Sequence, residues 1–363
     1  MDVCDIQYGY AFDSKKFSND SSFIPLIRIR DVKRGYSETF YSGTYSKEYI
    51  VHRNDLLIGM DGEFNIARWN SNEALLNQRV CKIVAKNGTN EEYLRFAMSR
   101  KLKEIEEKTS FVTVKHLSAK ELKKIVLKMP NIEKQSKISN ILVKLEDTIK
   151  VYKKELEKLN SLIQARFIEL FGDPKYNALK WPIYMLGDLF TIGSSKRIYQ
   201  SEQVPEGIPF LRISDLMNKI EKADESANLF ISEELYEELQ ERDLVPVAGD
   251  ILVTSRGTLG QCYEIKEQDK FYFQDGMISW LYNRDEKITN NYLMFLFQMP
   301  GFRLQIDEVP EGSTVNYLSI ARLKNLRIMC PSIELQQQFA AFVVKVNKSK
   351  FVIHKFLYCT THN

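Results

Sequence analysis

Side chains that suit the recognition of nucleic acid follow several predicted strands of this chain. Arginine can contact guanine with two hydrogen bonds and can also bind phosphate, and amide groups can contact base edges. In the first half these residues are Arg28, Arg30, Lys33, Arg34, Asn77, Gln78 and Arg79. In the second half they are Ser194, Ser195, Lys196, Arg197, Arg212, Ser255, Arg256, Thr258 and Gln274. We predict that they contact DNA; the alternative for each is a solvated strand edge or a turn.

Residue patterns for catalysis are missing from the sequence. It has no Asn-Pro-Pro-aromatic or Asp-Pro-Pro-aromatic stretch, no Gly-Lys-Ser/Thr phosphate loop and no His/Cys cluster with metal-ligand spacing. Asp61 and Glu63 flank a glycine without a following lysine, so we expect loop carboxylates. The histidines have no partner pattern and are predicted to be structural or on the surface: His52, His116, His354 and His362. We predict no catalytic residue, no metal and no cofactor for this chain.

Composition and charge set broad limits on the protein class. The 363 residues are 44% hydrophobic, which is enough for two or three domains. Lysine and arginine number 51 against 48 aspartate and glutamate, so attraction to a polyanion must come from local arrangement. The five scattered cysteines form no C-x-x-C pair and are expected to be reduced. The chain shows no signal peptide and no apolar run near the roughly 18 residues of a membrane span, so we predict a cytoplasmic protein with no membrane partner.

The two halves of the chain repeat one another in order. "PLIRIRDV" (25–32) matches "PFLRISDL" (209–216), "RNDLLIGMDGEFN" (53–65) matches "AGDILVTSRGTLG" (248–260), and "LLNQRVCKIV" (75–84) matches "YFQDGMISWL" (272–281). "TVKHLSAKELKKIVLKMPNIEKQ" (113–135) matches "TVNYLSIARLKNLRIMCPSIELQ" (314–336) with ten identities. The offset grows from 184 (209 − 25) to 201 (314 − 113), as insertions in surface loops of a duplicated domain would produce.

Each copy has the pattern of an α+β domain. Short apolar or alternating runs such as "FIPLIRI", "LLIGM", "RVCKIV" and "DILVTS" predict strands. "YLRFAMSRKLKEIEE" and "YLMFLF" predict helices, and Ser118 with Glu121 has the form of a capping box. We also predict a closing strand that ends at Pro130 and again at Pro331. A mixed sheet with peripheral helices follows for each copy.

A long helix is predicted after each of these prolines. Its first copy has a heptad seam, and adding the same offset places a shorter seam in the second copy. The seam residues are Ile138, Leu142, Leu145, Ile149, Tyr152, Leu156, Leu159, Ile163, then Phe339, Val343, Val346, Ile353 and Leu357, with polar exceptions at Arg166 and Lys350. The alternatives are that either helix packs on its own domain or makes a homodimer.

Chain connectivity makes the two helices antiparallel if they pair within the chain. The first helix leaves copy one and enters copy two, and the second can only run back along it. About 37 residues span on the order of 55 Å, which matches one to two turns of duplex DNA. The predicted architecture is therefore two homologous mixed α/β domains separated by a long antiparallel two-helix coiled coil, with pseudo-two-fold symmetry.

Three stretches resemble the specificity subunits of type I restriction-modification systems over nearly the whole chain. They are "TVKHLS" with "TVNYLS", "MPNIEKQ" with "CPSIELQ", and "ARFIELFGDPKYNALKWPIYMLGDLF". The resemblance implies two target-recognition domains alternating with two conserved helical regions, each domain reading half of a split double-stranded DNA target. It implies no catalysis and partnership with two methyltransferase subunits and with translocating restriction subunits. S-adenosylmethionine would belong to the former, and ATP and magnesium to the latter.

The resemblance predicts domain boundaries. They are a first recognition domain at 1–130, a first spacer helix at 131–172, a second recognition domain at 173–331 and a second helix at 332–363. Copy one begins at "MDVCDI" without a counterpart of Trp181–Leu186, which raises the alternative that its first strand is absent. The second helix is also shorter than the first.

Two other functions stay open on the sequence alone. One is a non-enzymatic coiled-coil scaffold with two peptide-binding domains, and the other is a stand-alone DNA-binding protein. A DNA reader should lose affinity steeply as salt rises, whereas a peptide scaffold need not.

Overall fold

The structure, a computed structural model, describes residues 2–108, 115–222, 226–308 and 317–361. The chain forms two compact units, Met1–Val151 (unit 1) and Tyr152–Asn363 (unit 2). Each unit is α+β, with short strands in small sheets and helices around them. The repeated residues Thr113 and Val114, with their counterparts Thr314 and Val315, lie outside the described residues.

Unit 1 begins with strands and ends in helices. Its strands are β1 (Cys4–Tyr8), β2 (Phe17–Ser18), β3 (Ile24–Ile27), β4 (Phe40–Tyr41), β5 (Ile50–Val51), β6 (Leu56–Gly59), β7 (Ile66–Arg68), β8 (Ala74–Leu76) and β9 (Val80–Ala85). Its helices are α1 (Ile29–Arg34), α2 (Glu91–Lys108), α3 (Ala119–Lys123) and the first part of α4 (Ile132–Phe171), with 3₁₀ turns at Ser14–Lys16 and Lys47–Tyr49.

Unit 2 contains the rest of α4 and repeats much of the order of elements, with additional short strands and helices. Its strands are β10 (Ile183–Met185), β11 (Thr191–Gly193), β12 (Gln203–Val204), β13 (Ile208–Leu211), β14 (Phe230–Ile231), β15 (Ile251–Thr254), β16 (Cys262–Glu264), β17 (Tyr272–Phe273), β18 (Ile278–Tyr282) and β19 (Arg327–Met329). Its helices are α5 (Leu186–Leu189), α6 (Ile213–Lys222), α7 (Glu233–Glu241), α8 (Asn290–Leu296), α9 (Pro300–Asp307), α10 (Ile320–Lys324) and α11 (Ile333–Thr361), with a 3₁₀ turn at Gln200–Glu202.

Two sheets of each unit match in strand order, except that β5 has no counterpart in unit 2, which also has a separate β10-β19 pair. One sheet runs β1-β9-β6-β7 in unit 1 and β11-β18-β15-β16 in unit 2, antiparallel throughout. A second runs β2-β4-β3-β8-β5 in unit 1 and β12-β14-β13-β17 in unit 2, and β3 pairs parallel with β8 as β13 does with β17. The repeat in the sequence is therefore a repeat in topology.

A buried glutamine fixes the start of the long helix in each unit by the same hydrogen bonds. Gln135 accepts from the Asn90 N–H (2.8 Å) and donates to the Gly88 and Pro130 carbonyls (3.2 and 2.7 Å). Gln336 does the same with the Thr289 N–H and with the Lys287 and Pro331 carbonyls, at 2.8, 2.9 and 2.9 Å. Both side chains are at most 2% exposed. A buried amide needs such partners, which explains why glutamine stands at both positions.

The predicted closing strand before Pro130 is wrong. In unit 2, β19 pairs with β10, and the Cys330 N–H donates to the Pro182 carbonyl at 2.8 Å. In unit 1 the matching segment, residues 126–129, has no strand assignment, and no strand in the described part of the chain lies against it. Val126 is 81% exposed. A strand is defined by its partner, so an apolar pattern alone does not make one.

This difference predicts a difference in amide hydrogen exchange. The Met129 amide has no hydrogen-bond acceptor within the described ranges, whereas its counterpart Cys330 is bonded to Pro182. We expect the Met129 amide to exchange on the order of a hundredfold faster than that of Cys330. Mass spectrometry of overlapping peptides measures both, and the Leu117 amide, bonded to the Met60 carbonyl at 2.7 Å, is the protected control in unit 1. Equal protection of the Met129 and Cys330 amides would contradict the finding that residues 126–129 have no strand partner in the described part of the chain.

Within unit 2, the end of α4 packs against α11 and the domain core. Phe167 and Phe171 are fully buried beside Tyr292 and Phe339, with ring centroids 4.8–5.5 Å apart. Further along, the rings of Tyr152 and Phe356 are 4.8 Å apart. Since residue numbers fall on α4 as they rise on α11, these two stretches run antiparallel.

Candidate nucleic-acid interface

The first group of basic residues lies mainly on a helix, which the apolar strand pattern did not predict. Arg30, Lys33 and Arg34 lie on α1, while Arg28 precedes it. The Arg28 N–H donates to the carboxylate of buried Asp31 at 2.9 Å, which satisfies a free donor at the helix start. Arg212 precedes α6 in the same way, and its N–H donates to Asp215 at 3.0 Å. Within "LIRIR", the strand ends at Ile27 because Asp31 stabilises the start of a helix at Ile29.

Two of the α1 cations have acidic neighbours. Lys33 Nζ lies 2.8 Å from Glu63, and Arg34 Nη1 lies 4.0 Å from Glu38. All four side chains are about half or more exposed. Such surface pairs are weak, so both cations can exchange a carboxylate for another anion.

The turn between β8 and β9 presents Gln78 and Arg79 to solvent. Asn77 is buried, and its side-chain oxygen accepts from the Gln78 N–H at 2.9 Å, so it shapes the turn. The backbone of Gly9 is so close that an added Cβ would lie 2.0 Å from the Asn77 carbonyl oxygen. The backbone at Gly9, between β1 and β2, therefore packs directly against this turn.

Arg79 is the centre of a cluster of three side chains in unit 1. Its Nη1 lies 3.1 and 3.0 Å from the two ring nitrogens of His116, and its Nε lies 3.6 Å from Asp61 Oδ2. His116 also forms a hydrogen bond with Asp61. The side chains of Arg79, His116 and Asp61 are 50%, 43% and 22% exposed. We refer to this group as the Asp61–Arg79–His116 cluster.

Backbone hydrogen bonds bring the three loops of this cluster together. The Met60 N–H donates to the Arg79 carbonyl at 2.8 Å, and the Leu117 N–H donates to the Met60 carbonyl at 2.7 Å. In unit 2 the Ser255 N–H donates to the Met277 carbonyl, and the Leu318 N–H donates to Ser255, at 2.8 and 3.0 Å. Ser255 and Leu318 match Met60 and Leu117 in the repeat. In both units, the residue that follows the central strand is therefore hydrogen-bonded to the same two loops.

The side chains on this shared frame differ between the units. The unit 2 positions that match Asp61 and His116 are Arg256 and Tyr317, and the strand pairing places Met277 at the position of Arg79, one residue after Gly276. The Arg256 guanidinium lies over the Tyr317 ring, 5.2 Å from its centroid, a cation–π arrangement. In unit 1, an arginine therefore contacts a carboxylate and an imidazole. In unit 2, an arginine lies over a tyrosine ring.

Arg79 has a left-handed backbone conformation that favours glycine. Its φ is +69°, and that of Gly276 is +67°. A residue with a Cβ pays about 1 kcal/mol or more for this conformation. The backbone at position 79 would therefore be less strained with glycine than with arginine.

The other predicted residues of unit 2 are divided between the surface and the interior. Arg197 is exposed and lies 2.9 Å from Asp275, and that hydrogen bond raises the pKa of the Arg197 guanidinium. Arg256 and Thr258 are exposed, Ser194, Lys196 and Gln274 are half-buried, and Ser195 and Ser255 are buried.

The buried and half-buried residues of this group serve mainly the loop structure. The Ser194 hydroxyl accepts from the Gly276 N–H at 3.2 Å, and the Ser255 hydroxyl is 2.8 Å from that of Ser279. Burial raises the pKa of Tyr272 to about 12, so its hydroxyl stays neutral and accepts from the Lys196 N–H at 2.8 Å. Of this set, Arg197, Arg256 and Thr258 are the side chains best placed to meet a ligand.

The seam residues of the long helices lie on their less exposed sides. On α4, Ile163 is buried and the other seam positions are half-buried: Ile138, Leu142, Leu145, Ile149, Tyr152, Leu156 and Leu159. On α11, Leu357 is half-buried and the other seam positions are buried: Phe339, Val343, Val346 and Ile353. The polar exception Arg166 lies over the Phe342 ring, 5.9 Å from its centroid, and pairs with Glu169 at 2.8 Å.

Sequence reasoning missed Asp61, His116 and Tyr317. Asp61 was expected to be a plain loop carboxylate and His116 to lack a partner, yet each contacts the other and Arg79. The available signal was the repeat itself, since the two positions, Asp61 with Arg256 and His116 with Tyr317, differ in type between copies while their neighbours align.

Two copies of one α+β unit with different side chains on one loop frame define a duplicated recognition protein. The family model for the type I restriction modification DNA specificity domain matches residues 1–161 and again 179–357. The chain therefore belongs to the type I restriction-modification DNA specificity subunit family. These subunits are non-catalytic and recognise DNA.

Individual relatives agree with this assignment. The chain is 29% identical to the Escherichia coli type I restriction enzyme EcoBI specificity subunit, covering 93% of this chain and 76% of the relative. It is 23% identical to the MjaVIII specificity subunit of Methanocaldococcus jannaschii, covering 88% and 78%. The crystal structure of the S subunit of a type I system from M. genitalium has a TM-score of 0.55 at 15% identity, covering 99% of this chain and 91% of that one, which supports the fold.

The described helices include none with the length and apolar character needed to cross a bilayer.

Proposed function

We propose that this chain reads a split DNA target, with one half-site bound by each unit. The observation that carries the proposal is the loop frame shared by the two units, which holds Asp61, Arg79 and His116 in one and Arg256, Met277 and Tyr317 in the other. A common frame with different side chains suits two sites of similar shape and different sequence. Base edges are distinguished by side chains of this kind, while phosphate contacts position the protein.

The predicted DNA-binding residues divide into these two roles. Exposed cations beside α1 and β11, such as Lys33, Arg34 and Arg197, pair with single carboxylates and suit phosphate contacts. Gln78, Arg79 and Arg256 project from the tips of loops and suit base contacts.

The long helices form the spacer between the half-sites in this proposal. A 40-residue helix is about 60 Å long, and the α4 and α11 seams would pair as an antiparallel coiled coil with pseudo-two-fold symmetry. Support comes from the burial of the α11 seam and from the Tyr152–Phe356 and Phe167–Phe339 ring contacts within unit 2. The length of α4 would then set the gap in the target.

The outer faces of the same helices would bind the catalytic partners. Several large apolar side chains there are exposed: Ile141 (67%), Val151 (61%), Phe351 (68%) and Val352 (68%). Of these, the adjacent pair Phe351 and Val352 best suits a protein interface, since contiguous exposed apolar groups mark interaction sites. The partners would be two methyltransferase subunits, which bring S-adenosylmethionine, and restriction subunits, which bring ATP and magnesium.

Selection of duplexes from a randomised library tests the DNA-reading role. The chain, assembled with its methyltransferase subunits, should enrich duplexes with two short conserved blocks separated by an unconserved gap of constant length. Binding should weaken steeply with salt, in proportion to the phosphates contacted. A single continuous block, or affinity that does not respond to salt, would contradict the proposal.

A further inference from the structure

We infer that the Asp61–Arg79–His116 cluster of unit 1 reads a G·C base pair, with Arg79 on guanine and Asp61 on cytosine. This inference rests on the proposed function, since it names the base pair that one of the two units would recognise. The carboxylate, the guanidinium and the imidazole come from three separate loops. The loops are fixed by the backbone bonds from Met60 to Arg79 and from Leu117 to Met60.

The backbone of Arg79 is the first reason to assign it a role in binding. Its left-handed φ of +69° costs a residue with a Cβ more than it costs glycine, and the corresponding turn of unit 2 has Gly276 at φ +67°. The strand pairing places Met277 at the position of Arg79, so the turn forms there without an arginine. A strained, exposed arginine with no packing function points to a ligand.

The neighbour of Arg79 favours a base over a phosphate. Asp61 lies 3.6 Å from the guanidinium and is partly exposed, so a phosphate bound to Arg79 would also meet a carboxylate. A base pair has no such conflict. Arginine donates to guanine O6 and N7, and a carboxylate accepts from the cytosine N4 amino group. The two acceptors on guanine and the donor on cytosine therefore match this pair of side chains.

His116 completes the cluster as a positioning residue. Both of its ring nitrogens lie near Arg79 Nη1, and it is also bonded to Asp61, so it limits the rotation of both side chains. Tyr317 has the matching position under Arg256 in unit 2, where no carboxylate corresponds to Asp61. The two half-sites should therefore differ at the base pair that faces this frame.

Substitutions of Arg79 and Asp61 test the inference in the assembled complex by the same duplex selection. In Arg79→Gly, one G·C pair in one block should lose its preference by about ten- to a hundredfold, while the other block and the gap stay unchanged. Arg79→Lys should lose a similar amount, because an ammonium group cannot donate to both acceptors in a fixed fork. Asp61→Asn should weaken the discrimination at that same base pair.

A surface arginine gives the matched control. Arg100 on α2 is 85% exposed and pairs only with Glu104 among the described side chains, and Arg100→Ala removes the same charge away from the cluster. This variant should leave the preference at every base pair as in the wild type. Thermal unfolding should show that Arg79→Gly is at least as stable as the wild type, because glycine fits the backbone of this turn.

The outcomes separate the inference from the proposed function. Two blocks in the wild type and an unchanged preference in Arg79→Gly would overturn the inference and leave the split target intact. Uniform weakening at all positions would show a phosphate contact and would also overturn it. The absence of two blocks in the wild type would instead remove the proposed function. If Arg79→Gly does not fold, Arg79→Lys and Asp61→Asn, which keep side chains of similar size, decide the matter.

Discussion

Duplication of residues 153–159 within α4 should lengthen the gap of the DNA target by about three base pairs. Seven residues add about 10.5 Å of helix at 1.5 Å each, and duplex DNA rises about 3.4 Å per base pair. The inserted heptad keeps the seam in phase, because Leu156 and Leu159 recur seven residues further along the helix. The two conserved blocks should not change, since neither loop frame is altered.

Duplex selection with the assembled complex measures this gap directly. The matched control carries the same seven residues in the exposed turn at Asp20–Ser22, outside α4. It should keep the wild-type gap, although its affinity can fall. A gap that stays constant when α4 is lengthened would show that this helix does not set the spacing.

Replacement of Phe167 by alanine should cost unit 2 about 3–5 kcal/mol of unfolding free energy. Phe167 is fully buried, stacks on Tyr292 at 5.5 Å and meets Phe171 and Phe339 edge-on. Removal of its ring leaves a cavity where α4, α8 and α11 meet. Urea unfolding followed by tryptophan fluorescence measures the loss, and unit 2 contributes Trp181 and Trp280 to this signal.

The neighbouring residue on the same helix supplies the control. Ile168 is 42% exposed, so Ile168→Ala should cost less than about 1 kcal/mol. A similar small cost for Phe167→Ala would mean that the end of α4 is not part of the unit 2 core.

The repeat let the sequence predict much of the fold. Apolar runs predicted β6, β9 and β15, helical periodicity predicted α2 and α4, and the Ser118–Glu121 capping box is present at the start of α3. These features depend on residues close together in the chain. Local propensity and pattern are therefore sufficient to reveal them.

Two predictions were wrong because they depended on helix capping and on tertiary strand pairing, which the hydrophobic pattern of the sequence does not reveal. At α1, an arginine rather than a serine or threonine precedes the helix, so the start signal was only the buried Asp31 three residues on. At residues 126–129 the apolar pattern is present, but the partner that β10 supplies in unit 2 has no equivalent in the described part of unit 1.

The candidate site was only partly predictable for a related reason. Arginine type and loop position identified Arg79 and Arg256, but Asp61 and His116 are 55 residues apart in the chain. Their meeting depends on hydrogen bonds between loops that follow different strands. Spacing in the sequence cannot show such a cluster, whereas comparison of the two copies marks the positions at which they differ.

Methylation mapping in a cell that carries this chain beside its methyltransferase tests the central claim most directly. Long-read sequencing of genomic DNA would locate the methylated adenines. A duplicated reader predicts that they lie in a motif of two unlike blocks with a constant gap, and that this motif disappears when the gene for this chain is removed. Methylation in one uninterrupted motif, or methylation that persists without this chain, would contradict it.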